Sequence, residues 1–457
     1  MVSNMDLSLA ERSRGMRKYF LVLGMMLLFG GNPTATADQF HYNNVILGDR
    51  AMGLGGAFCG VSDDASGIIY NTAGLAFALN NDISGSANAF YRKKVVYKET
   101  IGKDDFTERS RGGFAPFFGG LQKLDNILPG LVFAFGIYTS DSELKDQDDK
   151  IEAPDLGIVR FHRTVNLRSS TSGFAAAVAK RVTSTVALGL GLSYLTVEEL
   201  VQEYQDAHTT FATSTGGTLI YQILTQNIRQ RLTIDAIQPT LGVQWAATGR
   251  LSFGLHLKLP VVLSQSLENG QEVTRSYVDS GLSVPADTFR NGAATNVVKR
   301  DLVETESDKN TNPIGKYPQE ARAGVAWFAT TRFLYTFDLI STGKAEGDIA
   351  LYKRGQVLNY ATGAEYYITP SVPLRFGMFT NNDARLALED GKRNQPDHID
   401  YKGLSLFFAW VQPNSQISLG AVQQMGKGKA QKIANQTKMQ DVVASSTTLA
   451  FSASHSF

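Results

Sequence analysis

The sequence has little of several features that define common classes of protein. Its 457 residues include a single cysteine, Cys59, which excludes an internal disulfide and a cysteine-based zinc site. We expect Cys59 to be a small buried apolar side chain. Only one long apolar run is present, close to the N-terminus, and this excludes a helical transporter that crosses a membrane repeatedly.

An excess of charge of either sign is also missing. The 44 Lys and Arg residues nearly balance the 43 Asp and Glu residues, so the formal net charge is +1. This balance excludes a basic nucleic-acid-binding surface and an acidic tail as the main theme of the protein. We therefore expect no nucleic-acid partner.

Catalytic and metal-binding patterns are equally sparse. The six histidines show no metal-ligand spacing, and no serine lies in a nucleophile-elbow glycine pattern. A lipid-ester hydrolase would need a nucleophile paired with a base, and the sequence places no such pair. We therefore predict no enzymatic activity, no catalytic residues, no metal and no cofactor.

The first residues have the organisation of a secretory leader. A basic segment at 12–18 precedes an apolar stretch at 20–29, which is too short to span a bilayer, and small residues follow at 35–37. This order predicts a signal peptide over residues 1–37 that is cleaved before Asp38. The mature protein is then exported.

The sequence is rich in what β-strands use. It contains 43 Gly, 26 Phe and 17 Tyr but only 13 Pro, and apolar residues recur every second position. One such segment alternates Leu251, Phe253, Leu255, Leu257 and Leu259 with Ser252, Gly254, His256 and Lys258. Successive side chains of a strand point to opposite faces, so each segment has one apolar face and one small or polar face. This pattern favours a barrel with lipid outside and small residues that leave space inside.

The spacing of these segments indicates how many strands there are. Fourteen candidates lie at 84–98, 112–121, 131–140, 158–180, 185–199, 226–246, 250–265, 318–329, 332–342, 356–368, 372–382, 399–411, 415–426 and 441–457. Tight turns alternate with long polar connections, which is typical of outer-membrane barrels. We therefore predict an all-β protein, a transmembrane antiparallel barrel of about fourteen strands with long extracellular loops.

The segment at 48–76 is the most distinctive part of the chain. Its glycines permit close packing and positive φ angles. Asp63 or Asp64 is expected to cap a short helix that runs through Ala73 and ends at Gly74. The acidic pair is also compatible with a cation site, although a helix cap explains it more simply. A nucleotide-binding loop is excluded because no strand precedes the segment.

This segment resembles the N-terminal signature of the FadL-type long-chain fatty acid outer-membrane transport family. The family's Asp-Asp-Ala run is matched by Asp63-Asp64-Ala65, and its Asn-Pro-Ala triplet corresponds to Asn71-Thr72-Ala73, with threonine in place of proline. The resemblance implies a hatch, residues 38–80, that plugs a barrel formed by residues 81–457. The implied hatch motif is Gly53, Gly55, Gly56, Phe58, Asp63, Asp64, Asn71 and Ala73.

The resemblance also implies a function. It predicts passive diffusion of hydrophobic small molecules, such as long-chain fatty acids, through the plugged barrel, with a lateral exit through the wall. The loops at 200–225 and 266–317 are the expected landing site. The alternative is a non-transporting barrel that acts as a scaffold in a surface or secretion complex. The candidate ligand-binding residues are Leu54, Phe58, Phe211, Leu219, Ile223, Lys258, Arg322 and Arg375.

Alternation places several charged residues inside the barrel, because charge cannot face lipid cheaply. These are His256, Lys258, Arg322, Asp338, Glu365 and Arg375. They are expected either to pair with one another across strands or to meet a ligand carboxylate.

The remaining predictions concern surroundings and assembly. We expect the outer membrane of a Gram-negative bacterium, with its lipid and lipopolysaccharide around the barrel, and a monomer. The last strand alternates back from Phe457, an ending that resembles the signal read by the barrel-assembly machinery.

Overall fold

A computed structural model describes residues 40–112, 114–154, 157–212, 219–278, 299–347, 349, 352–432 and 437–457. The predicted signal peptide and its cleavage position lie outside these residues. Three short helical segments come first: α1 (Asp49–Gly53), α2 (Gly67–Tyr70) and a 3-10 helix (Thr72–Phe77). No helix among the described residues has the length and apolar character needed to cross a membrane.

Strands make up the remainder of the described structure. They are β1 (Asp82–Ile101), β2 (Asp104–Arg111), β3 (Ala115–Lys123), β4 (Leu131–Ala153), β5 (Ile158–Arg181), β6 (Val186–Ala212), β7 (Leu219–Thr248), β8 (Leu251–Lys258), β9 (Val261–Val278), β10 (Lys299–Asn310), β11 (Glu320–Thr330), β12 (Phe333–Thr342), β13 (Val357–Thr369), β14 (Val372–Asn381), β15 (His398–Gln412), β16 (Ser415–Ala430) and β17 (Gln440–Ser456).

Fourteen of these strands close into an antiparallel barrel. The ring runs β1, β3, β4, β5, β6, β7, β8 and then β11 to β17. It closes where β17 pairs with β1, from Asp82↔Ser456 to Tyr97↔Val442. The predicted fold class, a closed barrel of about fourteen strands, is confirmed.

The outside of the barrel is apolar. On β6, Leu188, Leu190 and Leu192 point outward, and Leu190 is 58% exposed, whereas Ala187 and Ser193 point inward and are buried. The same alternation on the other strands produces an outward-facing apolar band, as expected for a wall that contacts lipid.

The two ends of the barrel differ in their connections. Five links of two to four residues, at 182–185, 249–250, 331–332, 370–371 and 413–414, lie at one end, called the turn end here. The backbone N–H of Phe457 donates to the carbonyl of Asn81 at the same end. The opposite end, called the loop end, carries the long connections and the long strand extensions.

The predicted loops at 141–157 and 200–225 are wrong over their described residues, because the flanking strands continue into them. β6 and β7 pair without interruption up to Ala212↔Leu219, and β4 and β5 pair up to Ala153↔Ile158 with register shifts at Ser140 and Glu152. The physical reason is that inward-facing apolar residues continue beyond the lipid band and pack into a core at the loop end. That core includes Val197, Leu232 and Ile234.

The predicted strand at 250–265 is also wrong in its extent. It divides after Lys258 because Pro260 has no N–H to donate to the ladder. β8 continues the barrel, whereas β9 and β10 form an antiparallel pair along the extended part of β7. β9 begins five residues before the predicted loop at 266–317, and β10 lies inside it. The sequence analysis also missed β2, which pairs with the outer half of β1.

Candidate functional site

The segment that precedes the first strand lies inside the barrel. We call residues 40–80 the hatch. Polar contacts join it to strands on several sides of the ring: Gly48 to Ser86 on β1, Asn71 to Gln244 on β7, and Gly53 to Ser405 on β15. A segment that touches the inner faces of such widely separated strands fills the bore.

Glycines on the barrel wall make room for the hatch backbone. Pairs of facing glycines lie on adjacent strands, among them Gly189↔Gly242, Gly254↔Gly324 and Gly363↔Gly377. A Cβ atom at Gly254 would lie 2.0 Å from the Cys59 carbonyl oxygen, and one at Gly377 would lie 2.2 Å from the Gly55 nitrogen. The small inward residues of the wall therefore make room for the hatch.

The glycines of the hatch motif have different surroundings. Gly55 and Gly56 have φ angles of +64° and +83°, a region that side chains with a Cβ rarely adopt. Gly53 belongs to α1, and a Cβ there would meet the side chain of Arg375. The turn after α1 thus lets the hatch backbone pass close to β14.

The predicted helix from the acidic pair through Ala73 is wrong. Asn71 has an extended backbone (φ −163°, ψ 104°) that separates α2 from the 3-10 helix, and Gly74 lies inside the latter. The side chain of Asn71 explains the interruption. Its Nδ2 donates to the Cys59 carbonyl (3.0 Å), the Val243 carbonyl (3.1 Å) and Gln244 Oε1 (2.7 Å).

Asn71 also begins the 3-10 helix, since its Oδ1 accepts from the backbone N–H of Ala73 at 3.2 Å. Thr72 is then the first helical residue, a position where the backbone N–H has no partner within the helix. Proline is favoured at this position for that reason, so the middle residue of the triplet can be either threonine or proline.

The two acidic residues of the hatch motif have different hydrogen-bond partners. Asp63 accepts two hydrogen bonds from the Arg50 guanidinium, at 3.0 and 3.1 Å. Asp64 Oδ1 accepts from the N–H and the hydroxyl of Ser66, at 2.8 and 2.6 Å, just before α2. Burial raises the pKa of Asp64 to about 7, although the hydrogen bond with Ser66 acts in the opposite direction.

A four-residue ion-pair network ties α1 to the wall. We call Asp49, Arg50, Glu365 and Arg375 the latch. The Glu365 carboxylate lies 2.9 Å from Arg50 Nη2 and 2.7 Å from Arg375 Nε, and Arg375 Nη1 lies 3.3 Å from Asp49. Arg375, a candidate ligand-binding residue, is therefore placed between two carboxylates and is 1% exposed.

A second anchor holds the turn at Phe58. Asp338 Oδ2 on β12 accepts from the backbone N–H groups of Phe58 (3.0 Å) and Cys59 (2.9 Å). Arg322 Nη1 lies 3.4 Å from the same carboxylate and donates to the Gly56 carbonyl at 3.0 Å. Leu54 and Phe58, both candidate ligand-binding residues, are 0% exposed in the core shared by the hatch and the wall.

A cavity of about 170 Å³ lies beside the hatch on the side that faces the loop end; we call it the lumen cavity. Its apolar lining includes Ile46, Ile68, Ile69, Tyr70 and Leu195. Its charged lining includes Lys258, Glu320, Arg322 and Asp141. Of the candidate ligand-binding residues, Lys258 and Arg322 line this cavity, and Leu54, Phe58 and Arg375 do not. Its size is close to that of the roughly 150 Å³ cavity that binds benzene in another protein.

The wall is interrupted beside the lumen cavity. β3 pairs with β4 as far as Phe117↔Tyr138, and β2 pairs with β4 at Arg111↔Leu144. Between these points, no ladder pair joins the described residues of 112–116 to those of 139–143, a segment that we call the wall break. Tyr138, Ser140 and Asp141 at its edge also line the cavity. The register of β4 with β5 shifts at Ser140, consistent with a bulge there.

A buried group of charges lies at the loop end. Glu108 lies 2.9 Å from Lys145, 2.7 Å from Lys432 and 3.5 Å from Arg163. Burial would raise the pKa of Glu108, but these cations hold it well below its usual range. A smaller cavity, about 70 Å³, lies beside this group, and His41 lines both cavities.

The predicted landing residues lie on strands. Phe211 and Leu219 are near the paired ends of β6 and β7, and their side chains lie outside the described residues. Ile223 on β7 is half-buried. Its neighbour Leu224 is buried with Ile158 and Phe161. Leu224 is therefore covered by the core at the loop end, and a landing role for this apolar group stays a prediction.

These features define a fourteen-stranded membrane β-barrel with an N-terminal hatch in its bore. Solved structures of the same design are similar over most of the chain. A Pseudomonas aeruginosa FadL homologue is 11% identical, with a TM-score of 0.57 over 90% of this chain and 98% of that one. The P. putida toluene transporter TodX is 13% identical, with a TM-score of 0.57 over 90% and 99%. The Ralstonia pickettii toluene transporter TbuX is 11% identical, with a TM-score of 0.53 over 91% and 99%.

At these identities the likeness is one of fold, and at that level the resemblance to FadL-type proteins is confirmed. No protein-family model matches the sequence. No curated protein matches it either.

Proposed function

We propose that the protein transports hydrophobic small molecules across an outer membrane by passive diffusion and is not an enzyme. The observation that carries the proposal is the lumen cavity, a partly apolar space bounded by the hatch and the wall break. Its volume of about 170 Å³ suits a single aromatic ring or part of an alkyl chain. The similar solved structures support the proposal, since two of them are described as toluene transporters.

The position of the cavity supports a lateral route. The hatch fills the bore towards the turn end, so a straight aqueous path along the barrel axis is blocked. The wall break borders the cavity, so a molecule in the cavity lies beside a gap in the strand ladder. An apolar molecule that leaves through this gap for the hydrocarbon layer of the membrane gains free energy, at about 25 cal/mol for each Å² of apolar surface removed from water.

The barrel architecture also indicates where the protein lies in the cell and how it is oriented in the membrane. We infer that the leader, residues 1–37, is removed on export, that the turn end faces the periplasm and that the loop end faces outward. Outer-membrane lipid surrounds the apolar band, with lipopolysaccharide on the outer side. The barrel-assembly machinery inserts the chain, which acts as a monomer.

Filling the lumen cavity tests this function. Leu195 lines the cavity, whereas Leu192 on the same strand points to lipid and is 52% exposed. We expect Leu195→Trp to reduce uptake of radiolabelled p-xylene several-fold in a bacterial host that lacks its own transporter, because the indole occupies the ligand space. Leu192→Trp is the matched control and should leave uptake at the wild-type rate.

Barrel assembly is measured in parallel by the heat-dependent shift in gel migration that folded barrels show. If the wild-type protein assembles but p-xylene uptake equals that of cells without it, the scaffold alternative replaces the transporter. If both tryptophan variants assemble and transport p-xylene equally, the lumen cavity is not on the route.

A further inference from the structure

Two cations of the lumen cavity share one carboxylate. Lys258 on β8 and Glu320 on β11 are directly paired in the strand register. Lys258 Nζ lies 3.0 Å from Glu320 Oε1, and Arg322 Nε lies 3.7 Å from the same oxygen. All three side chains line the cavity. Glu320 therefore stands between the two cations on the cavity wall.

Arg322 also contacts the hatch and the neighbouring strand β12. Its Nη1 donates to the Gly56 carbonyl at 3.0 Å and lies 3.4 Å from Asp338. Its guanidinium also lies over the Tyr70 ring, 5.2 Å from the centroid. Lys258 and Arg322 are the Lys and Arg residues among the described lining of the cavity, and both are engaged by protein carboxylates.

We propose that Glu320 determines ligand specificity: it neutralises Lys258 and Arg322, so the cavity accepts uncharged apolar molecules and rejects carboxylates of the same size. This inference rests on the proposed transport function and names the class of ligand that the cavity takes.

The cost of an anionic ligand follows from the positions of these charges. A ligand carboxylate would have to displace Glu320 from Lys258 or lie unpaired near Glu320 and Asp141, and burying an unpaired charge is expensive. An uncharged ring can contact Ile46, Ile69 and Tyr70, all of which line the same space, without displacing Glu320 or burying an unpaired charge.

Removing the negative charge of Glu320 provides the test. Radiolabelled p-xylene and p-toluate have the same carbon skeleton, with a carboxylate replacing one methyl group in p-toluate. Binding of each compound to the detergent-purified full-length protein is measured at neutral pH for wild type, Glu320→Gln, Lys258→Met/Glu320→Gln and Glu198→Gln. The last variant removes a carboxylate from the exposed outer face of β6 and is the control for net charge.

We expect the wild-type protein to bind p-xylene at least about tenfold more tightly than p-toluate. Glu320→Gln should strengthen p-toluate binding by about tenfold, the effect of one charge-assisted hydrogen bond to the released Lys258. That gain should disappear in Lys258→Met/Glu320→Gln, and Glu198→Gln should bind both compounds as the wild type does.

Three outcomes contradict the inference. Equal or tighter binding of p-toluate by the wild type overturns it and leaves the transport function intact. An assembled Glu320→Gln barrel that binds p-xylene without a gain for p-toluate, or a gain equally present without Lys258, also overturns it. If the assembled wild-type protein binds neither compound, the proposed function fails, and this inference fails with it.

Discussion

The close approach of the hatch backbone to the backbone of the barrel wall determines which residues fit at individual positions. Gly254 lies against the Cys59 carbonyl, and the Cys59 N–H is held by Asp338. The Cys59 carbonyl also accepts from Asn71, which in turn bonds to Gln244 on β7. Gly254 on the wall thus leaves room for the Cys59 carbonyl, and Asn71 in the hatch holds the same carbonyl by a hydrogen bond.

Gly254→Ala should unseat this part of the hatch. An alanine Cβ would lie 2.0 Å from a backbone oxygen that has no free space to move into, and such overpacking costs about 1–3 kcal/mol. We expect faster entry of radiolabelled mannitol into porin-deficient cells that carry the variant. Gly249→Ala, in the neighbouring turn with nothing within 4 Å of the added Cβ, is the matched control. Equal mannitol entry for the two assembled variants would show that the close approach is not needed.

The position of the hatch against the barrel wall depends on its ion pairs more than on regular secondary structure. Its longest helical stretch is the six-residue 3-10 helix. Glu365 accepts from both Arg50 and Arg375 and is itself 2% exposed, so the latch is the main charged connection between α1 and the wall. Removing one member leaves uncompensated charge in a confined space, which costs more than removing a pair.

A double variant of the latch distinguishes the loss of charge pairing from the simple loss of contacts. Glu365→Gln removes the carboxylate that lies between Arg50 and Arg375, and breaking a buried ion pair in this way costs roughly 3–5 kcal/mol. We expect proteolysis within the hatch to become faster in this variant. Arg50→Gln/Glu365→Gln removes one charge of each sign, so that Arg375 keeps Asp49 while the half-buried Asp63 loses its arginine, and it should be cut more slowly than the single variant. Faster cutting in the double variant would argue against a charge-based latch.

The sequence predicts the strands better than it predicts their ends. Two-residue alternation identifies all fourteen barrel strands, because lipid outside and small residues inside produce opposite faces along each one. The ends of β4 to β7 are not visible, since buried residues such as Val197 and Leu232 continue the same alternation past the lipid band. The break at Pro260 carries a local signal that a proline rule would have detected.

The candidate site is less predictable than the fold. The hatch motif is apparent from its glycines and acidic pair, but the helix break at Asn71 arises from contacts with β7, about 170 positions away in the chain. Glu320 carries no signal in the sequence. Its role depends on the pairing of β8 with β11, which β9 and β10 separate along the chain.

The interior of the barrel is occupied at two levels. The hatch fills the bore towards the turn end, and the charges around Glu108 lie at the loop end. The lumen cavity lies between them and borders the wall break. Under the proposed function, apolar molecules leave the lumen cavity sideways into the membrane, and the hatch blocks the axial path of polar solutes.

The most direct measurement compares the two kinds of solute in the same cells. Radiolabelled p-xylene and mannitol are supplied together to porin-deficient cells with and without the full-length protein, and the initial entry rate of each is recorded. We expect the protein to raise the p-xylene rate several-fold and to leave the mannitol rate at the level of cells without it. A p-xylene rate equal to that of cells without the protein, or a mannitol rate that rises in parallel, would contradict transport of hydrophobic molecules through a plugged barrel.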